Sequence, residues 1–327
     1  MKPSCLPRKS RVWVRGQLRS ILTEKSRHNH HGVQRASPRL YAPSPNSHSP
    51  RGATKTPIVT SRIHASSCEN VAVDPYLIAA PVALAAASGL AAYAGRYPDS
   101  KIFGPAITHT NSPRKLAITF DDGPNPTMTP KLLDLLDRHK ARATFFVVGK
   151  YARQHPELLR ETVARGHVVG NHTDSHPNLF WSSPSQTRDE LHRCHDAITT
   201  ALSAPPKFFR PPFGWRNPWL AAAARDLHLQ VVTWTLLPGD WHAPTDDWLV
   251  GRMDSISVRA KAAASSTSAG AKNSAAGDIL CLHDGGHRAQ NADRTRTLAA
   301  LERCLPRWRD LGLEFVTMDQ AVSTPAL

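Results

Sequence analysis

Residues 115–148 read KLAITFDDGPNPTMTPKLLDLLDRHKARATFFVV, and the fold is decided there. Lys115–Phe120 is a short apolar run ending in an Asp-Asp-Gly-Pro turn, the pattern of a buried strand. Thr129–Lys140 places Leu132, Leu133, Leu135 and Leu136 on one helical face, with Pro130 suited to the first turn. Ala143–Val148 (ATFFVV) is again a buried strand. Strand, helix and strand follow each other with short connections, which is the unit of a parallel sheet.

The alternation continues outward. Helices are expected at Pro156–Arg165, closed by Gly166, and at Ser185–Leu202, Pro218–Leu227, Asp246–Lys261 and Thr295–Leu311. Strands are expected at His167–Gly170, at Phe208–Phe209, and at Leu229–Thr235, Ile279–Leu282 and Glu314–Val316. Some 210 residues of this pattern predict a parallel α/β domain. A barrel fits better than a dinucleotide-binding fold, because no G-x-G-x-x-G follows the first strand. The segment 262–277 (AAASSTSAGAKNSAAG) is low in complexity and is expected to form a mobile loop.

The 327-residue chain carries a formal net charge of +15, which taken alone suggests nucleic acid or an anionic surface. Residues 1–70 hold 13 Lys and Arg against two acids, while the other 257 residues hold 28 against 24. The basicity therefore belongs to a tail without apolar periodicity, expected to be disordered through residue 75. Its Arg- and Ser-rich start also resembles an organellar transit peptide, or an upstream start. It lacks the aromatic interleaving of a nucleic-acid binder, so no nucleic-acid partner is expected. Tyr76–Gly95 (YLIAAPVALAAASGLAAYAG) is uncharged and spans about 30 Å as a helix, the thickness of a bilayer core. It is read as a single transmembrane helix over 76–95, followed by a linker over 96–113, with a buried or interfacial helix as the alternative. The basic side is N-terminal, so the domain from residue 114 to 327 would lie outside the cytoplasm. Five scattered cysteines without a C-x-x-C pair argue against a thiolate metal site, and buried free thiols are expected.

The informative polar residues sit at strand ends, where barrel enzymes carry their sites. Asp121 and Asp122 end the first strand, and adjacent carboxylates there suit a metal ligand beside a base, or simply a turn. His172 and His176, at i and i+4, can ligate one divalent ion, and with an aspartate they form a facial set with open positions. Arg210, stiffened by Pro211 and Pro212, can hold a carboxylate ionised. Asp240 and Trp241 follow a later strand, and His283 ends Ile279–Leu282, placed to serve as a general acid. Trp215 and Trp219 are read as core packing, or as sugar-stacking platforms. Asp284 is read as a residue supporting the site from behind or as a turn residue, rather than a ligand, and His242 and His287 as surface.

Together TFDDG (119–123), HTDSH (172–176), RPPFG (210–214), GDW (239–241) and LCLHDG (280–285) resemble, in order, the five motifs of the NodB-homology polysaccharide deacetylases, carbohydrate esterase family 4. The resemblance covers about two thirds of the chain, from Arg114 to Ala321. It implies a distorted (β/α) barrel and a metal-dependent hydrolase that removes N-acetyl groups from an N-acetylglucosamine-containing polymer or lipid-linked sugar. By matching position, Asp122, His172 and His176 would hold the metal, most often Zn2+, with Co2+, Mn2+ or Fe2+ as alternatives. Asp121 would be the base that deprotonates the attacking water, and Arg210 would hold it. His283 would protonate the leaving amine, tuned by Asp240. The backbone N–H of Phe213 would support the oxyanion, and Trp241 and Leu282 would line the slot for the acetyl methyl. The fourth motif departs from the family at Leu237, where a second aspartate is usual. Two alternatives stay open: an O-acetyl esterase using the same site, and a non-catalytic glycan-binding envelope protein.

Overall fold

The computed structural model describes residues 75–265 and 276–322. The expected basic tail and the centre of the low-complexity segment lie outside them. The elements are α1 (Pro75–Arg96), β1 (Lys115–Gly123), α2 (Thr129–Arg138), β2 (Ala143–Val147), α3 (Gly149–Gln154), α4 (Pro156–Ala164), β3 (Val168–Asn171), α5 (Pro184–Leu202), β4 (Phe208–Phe209) and α6 (Leu220–Asp226). They continue with β5 (Gln230–Val231), α7 (Asp246–Ser265), β6 (Asp278–His283), α8 (Thr295–Asp310), β7 (Glu314–Phe315) and α9 (Met318–Val322). Helix α7 runs four residues into the segment expected to be a loop.

All strand pairings are parallel, in the order β5-β4-β3-β2-β1-β6, with β7 beside β1. Past β5 the chain reaches β6 through a parallel bridge between Leu236 and Leu280, so the pairing runs full circle. The expected strand over 229–235 is cut short there. The Thr235 hydroxyl accepts the Ile279 N–H (3.0 Å) and donates to Ile279 O (3.1 Å), beside the backbone bond from Thr235 N–H to Ile279 O (3.0 Å).

Strand alternation sorts the core into two sides. Leu116, Ile118, Phe120, Leu280 and Leu282 pack with Leu132, Leu136, Leu249, Leu301 and Leu305 in the layer between sheet and helices. Ala117, Ile279 and Cys281 instead join Phe146, Phe208, Val232 and Trp234 in a second cluster inside the ring. Cys194, Cys281 and Cys304 are buried free thiols, as expected.

The reading of 76–95 as a membrane span is corrected. The helix exists, but no helix among the described residues is long and apolar enough to cross a membrane. Its apolar character is carried mainly by alanine, which gains little from burial. The C-terminal end of α1 is instead docked on the domain. Arg216, 1% exposed, donates to the carbonyls of Ser100 (2.8 Å), Tyr97 (2.5 Å) and Ala94 (3.4 Å), and its own N–H donates to Gly95 O (2.9 Å). Arg216→Ala leaves those carbonyls without their buried donor, at a cost of about 1–3 kcal/mol. We expect a melting temperature lower by several degrees and faster proteolysis near Arg96. A variant unchanged in both would show that this clamp does not hold the helix.

Candidate active site

Adjacent residues of a strand face opposite sides, so two neighbouring aspartates would normally be parted. The β1–β2 register shifts between Asp121 and Gly123, and Asp122 sits in that bulge with φ 71°. The bulge turns Asp122 back toward the side that Asp121 already faces. Gly123 makes the crossing possible. A Cβ there would lie 2.2 Å from Asp284 Oδ2, and one on Gly285 would lie 2.2 Å from Asp122 O.

Asp121 is 3% exposed and is held from two sides. Arg210, fully buried, donates from Nη1 to Asp121 Oδ1 at 2.8 Å and to Thr119 Oγ1 at 2.7 Å, and from Nη2 to Thr233 O at 3.0 Å. Its guanidinium lies 4.2 Å over the Phe146 ring. The Cys281 thiol donates to Asp121 Oδ2 at 3.3 Å, and burial pushes that thiol well above its usual range.

The β1–β6 register places His283 directly beside Asp121. His283 Nδ1 meets Asp240 Oδ1 at 2.8 Å, while Asp240 Oδ2 accepts the His283 N–H (2.9 Å) and the Thr297 hydroxyl (2.9 Å). This leaves Nε2 as the ring nitrogen turned to the site. Burial disfavours the charged ring, but the charge and hydrogen bond of Asp240, with Asp121 and Asp122 nearby, outweigh it and raise the pKa to about 9. Donor atoms of Asp121, Cys281 and His283 all lie within 4.8 Å of one another. Trp241 stands edge-on to the His283 ring at 5.0 Å and is 42% exposed.

His172 and His176 come from the turn after β3, which Glu190 of α5 holds. Its carboxylate accepts the N–H of Asp174 (3.0 Å) and of Ser175 (2.8 Å), and the Ser175 hydroxyl (2.8 Å). His172 Nδ1 donates to Arg210 O at 2.7 Å, which frees Nε2 to accept. Asp122 Oδ1 lies 3.0 Å from His176 Nε2 and 3.6 Å from His172 Nε2. Neither Asp122 Oδ1 nor His176 Nδ1, both buried, has a hydrogen-bond partner. Burial pushes Asp122 up, but the imidazoles of His172, His176 and His287 pull it well below the usual carboxylate range. Burial lowers His176 to about 4. A buried carboxylate with two imidazole Nε2 atoms converging on one of its oxygens is a donor set that suits a divalent cation, so these residues fit a metal site.

The structure thus brings together Asp121, Asp122, His172, His176, Arg210, Asp240 and His283. Phe213, with φ 56°, packs edge-on against His176 at 4.5 Å. Leu282 is corrected: it is fully buried in the helix-facing layer, and alternation along β6 puts Cys281 and His283 on the site side. Leu237 packs against the interior cluster. Sequence reasoning missed two neighbours, Cys281 and His287, and read a third, Asp284, as a supporting or turn residue. Cys281 was findable, since it lies two residues before His283. Asp284, raised to about 7 by burial, accepts the Thr129 hydroxyl at 2.5 Å. His287 had no local signal to separate it from a surface histidine. Gly123→Ala should destabilise the fold by about 1–3 kcal/mol, because the 1%-exposed Asp284 leaves no room. Thermal unfolding reads this, and a variant as stable as the parent would contradict the close approach.

The polysaccharide deacetylase family matches the chain over residues 108–232. A Bacillus cereus protein named peptidoglycan-N-acetylglucosamine deacetylase is 35% identical over 210 residues, covering 64% of this chain and 89% of that one. A chitooligosaccharide deacetylase of Bradyrhizobium is 37% identical over 215 residues, covering 63% and 90%. Among solved structures, a peptidoglycan N-acetylglucosamine deacetylase superposes with a TM-score of 0.56 at 28% identity, over 67% of this chain and 92% of that one. A family 4 carbohydrate esterase from Streptomyces lividans superposes with a TM-score of 0.52 at 29% identity, over 66% and 100%. Relatives matched along nine-tenths of their length leave no room for a shared fragment on an unrelated scaffold, and the chain belongs to the polysaccharide deacetylase family.

Proposed function

We propose that this enzyme removes N-acetyl groups from a glycan containing N-acetylglucosamine, with a divalent cation held by Asp122, His172 and His176. The observation that carries the reading is the register of β1 and β6. It sets the Arg210-bound carboxylate of Asp121 beside the Asp240-bound imidazole of His283. Amide hydrolysis needs both partners: a base to take the proton of the attacking water, and an acid to deliver one to the departing nitrogen. Arg210 fixes the Asp121 carboxylate by a 2.8 Å ion pair, in the place from which it would accept the water's proton. Asp240 keeps His283 protonated, so Nε2 delivers a proton to the amine as the C–N bond breaks. A separation below 4.8 Å suits groups working on two substituents of one carbon. Zinc is the favoured ion for the Asp-plus-two-His set, and when bound it supplies Lewis acidity that polarises a carbonyl and acidifies water.

The names of the relatives support peptidoglycan or chitooligosaccharide as the substrate class. Half-exposed Trp241 beside His283 supports an apolar wall for the acetyl group. On this reading the domain acts outside the cytoplasm, where polymeric envelope glycan lies.

The test is acetate release from chitooligosaccharides and from a peptidoglycan digest, with added zinc and with chelator. Asp121→Asn should lower kcat/KM by at least ~100-fold. Activity at the parental level would remove Asp121 as the base. Release from O-acetylated but not N-acetylated substrates would replace the amidase reading with an esterase. The raised pKa of His283 also fixes a sign. Its protonated form is present below about pH 9 and is lost as pH rises through that value, so kcat/KM should fall along an alkaline limb near 9. Asp240→Asn removes the charge that holds the proton, and the limb should move to lower pH. A limb unmoved by that change would exclude His283 as the acid.

A further inference from the structure

We propose that Trp181 is the platform of a distal glycan subsite, on which a pyranose ring of the substrate stacks a few sugars away from the acetyl group being removed. The inference rests on the deacetylase reading above and commits it to an oligomeric or polymeric glycan. The Trp181 indole is 80% exposed, the most exposed large apolar side chain among the described residues. Its turn is nonetheless fixed from both sides. Asn178 accepts the Phe180 N–H on its side chain (3.1 Å) and the Trp181 N–H on its carbonyl (3.2 Å). Buried Asn217 donates to Leu179 O at 2.6 Å and to Thr187 Oγ1 at 3.0 Å, and Trp219 Nε1 donates to Ser182 O at 3.0 Å. A well-held turn that keeps a large apolar ring in water forgoes the favourable free energy of burying it.

Trp181 does not stand alone; it ends an aromatic strip that begins at the site. Phe213, 43% exposed, meets the His176 ring at 4.5 Å. Two residues on, Trp215 meets Phe180 at 5.0 Å, and Phe180 meets Trp181 at 4.8 Å with planes 89° apart. Phe180 is backed by α1, since a Cβ on Gly95 would lie 2.8 Å from its ring. Trp219, also exposed, flanks the turn through its bond to Ser182. Contiguous exposed apolar surface of this kind marks a ligand-binding face. The occupant follows from continuity with the site. Trp181 is five residues beyond His176, so their Cα atoms are at most about 19 Å apart. A glycan whose acetyl group lies between Asp121 and His283 continues out of the site, and the strip is apolar surface that meets it within the length of a short oligosaccharide. A pyranose carries C–H bonds on its flat faces, and an indole offers a broad, electron-rich face to them.

Acetate release by the zinc-supplemented full chain is compared on the disaccharide and the hexasaccharide of chitin, and on short and long peptide-free glycan strands of peptidoglycan. The parent should prefer the longer substrate in kcat/KM. Trp181→Ala should cut that preference ~5- to 10-fold, through KM for the longer substrate, and Trp181→Phe should restore most of it. A loss confined to one of the two glycans supports the platform and names its source. Binding of the hexasaccharide to the Asp121→Asn chain, read by calorimetry, should weaken by the same factor when Trp181→Ala is added. A length preference absent from the parent, or unmoved by Trp181→Ala on both glycans, would overturn the platform and leave the deacetylase reading intact. A parent that releases no acetate but binds the hexasaccharide through Trp181 would overturn the deacetylase reading and keep the platform.

Discussion

A guanidinium with no exposed surface stands inside a ring of parallel strands, and the site depends on what neutralises it. Arg210 is tied to β1 through Thr119 and Asp121 and to the chain after β5 through Thr233 O, while its own carbonyl takes the His172 N–H. One residue thus joins the proposed base, one proposed ligand and two segments of the ring. Removing either partner of such a buried pair would strand a charge in the core, at a cost of about 3–5 kcal/mol. The proposed chemistry needs a carboxylate at that place. A well-packed apolar substitute would serve stability at least as well.

Strain gathers around this pair. Asp122, Thr173, His176 and Phe213 adopt φ of 71°, 65°, 64° and 56°, a region that costs non-glycine residues of order 1–3 kcal/mol each. Two of the four are proposed ligands and a third packs on His176. The strain is held in place by neighbours: the bulge and Asp284 around Asp122, and Asn171 and Glu190 around the 172–176 turn. A regular strand would aim Asp121 and Asp122 apart, and a regular turn would not bring His172 and His176 to one oxygen. The departures from regular backbone are what converge the donors.

Much of this was legible in the residues. The alternation of apolar runs predicted the parallel α/β fold because parallel strands are buried on both sides and helices on one. The strand-end rule picked out Asp121, Asp122, His172, His176, Arg210, Asp240 and His283. The errors have physical causes too. Leu282 was put at the site because a strand reverses its facing with every residue, and motif position does not record which face is inward. Tyr76–Gly95 was read as a membrane span because the absence of charge outweighed its alanine content. Its docking through Arg216 involves residues 116 to 122 positions away.

What the sequence by itself determined is the set of chemical groups and the strand ends that carry them, since these follow from local apolar pattern and residue type. The tertiary structure alone decided which groups touch. The β1–β6 register set Asp121 beside His283, the bulge turned Asp122 inward, and the loop after β6 brought His287 over His176. The first and last of these join segments more than a hundred residues apart and the bulge depends on the register of β1 with β2, and no local preference of the chain encodes such pairings.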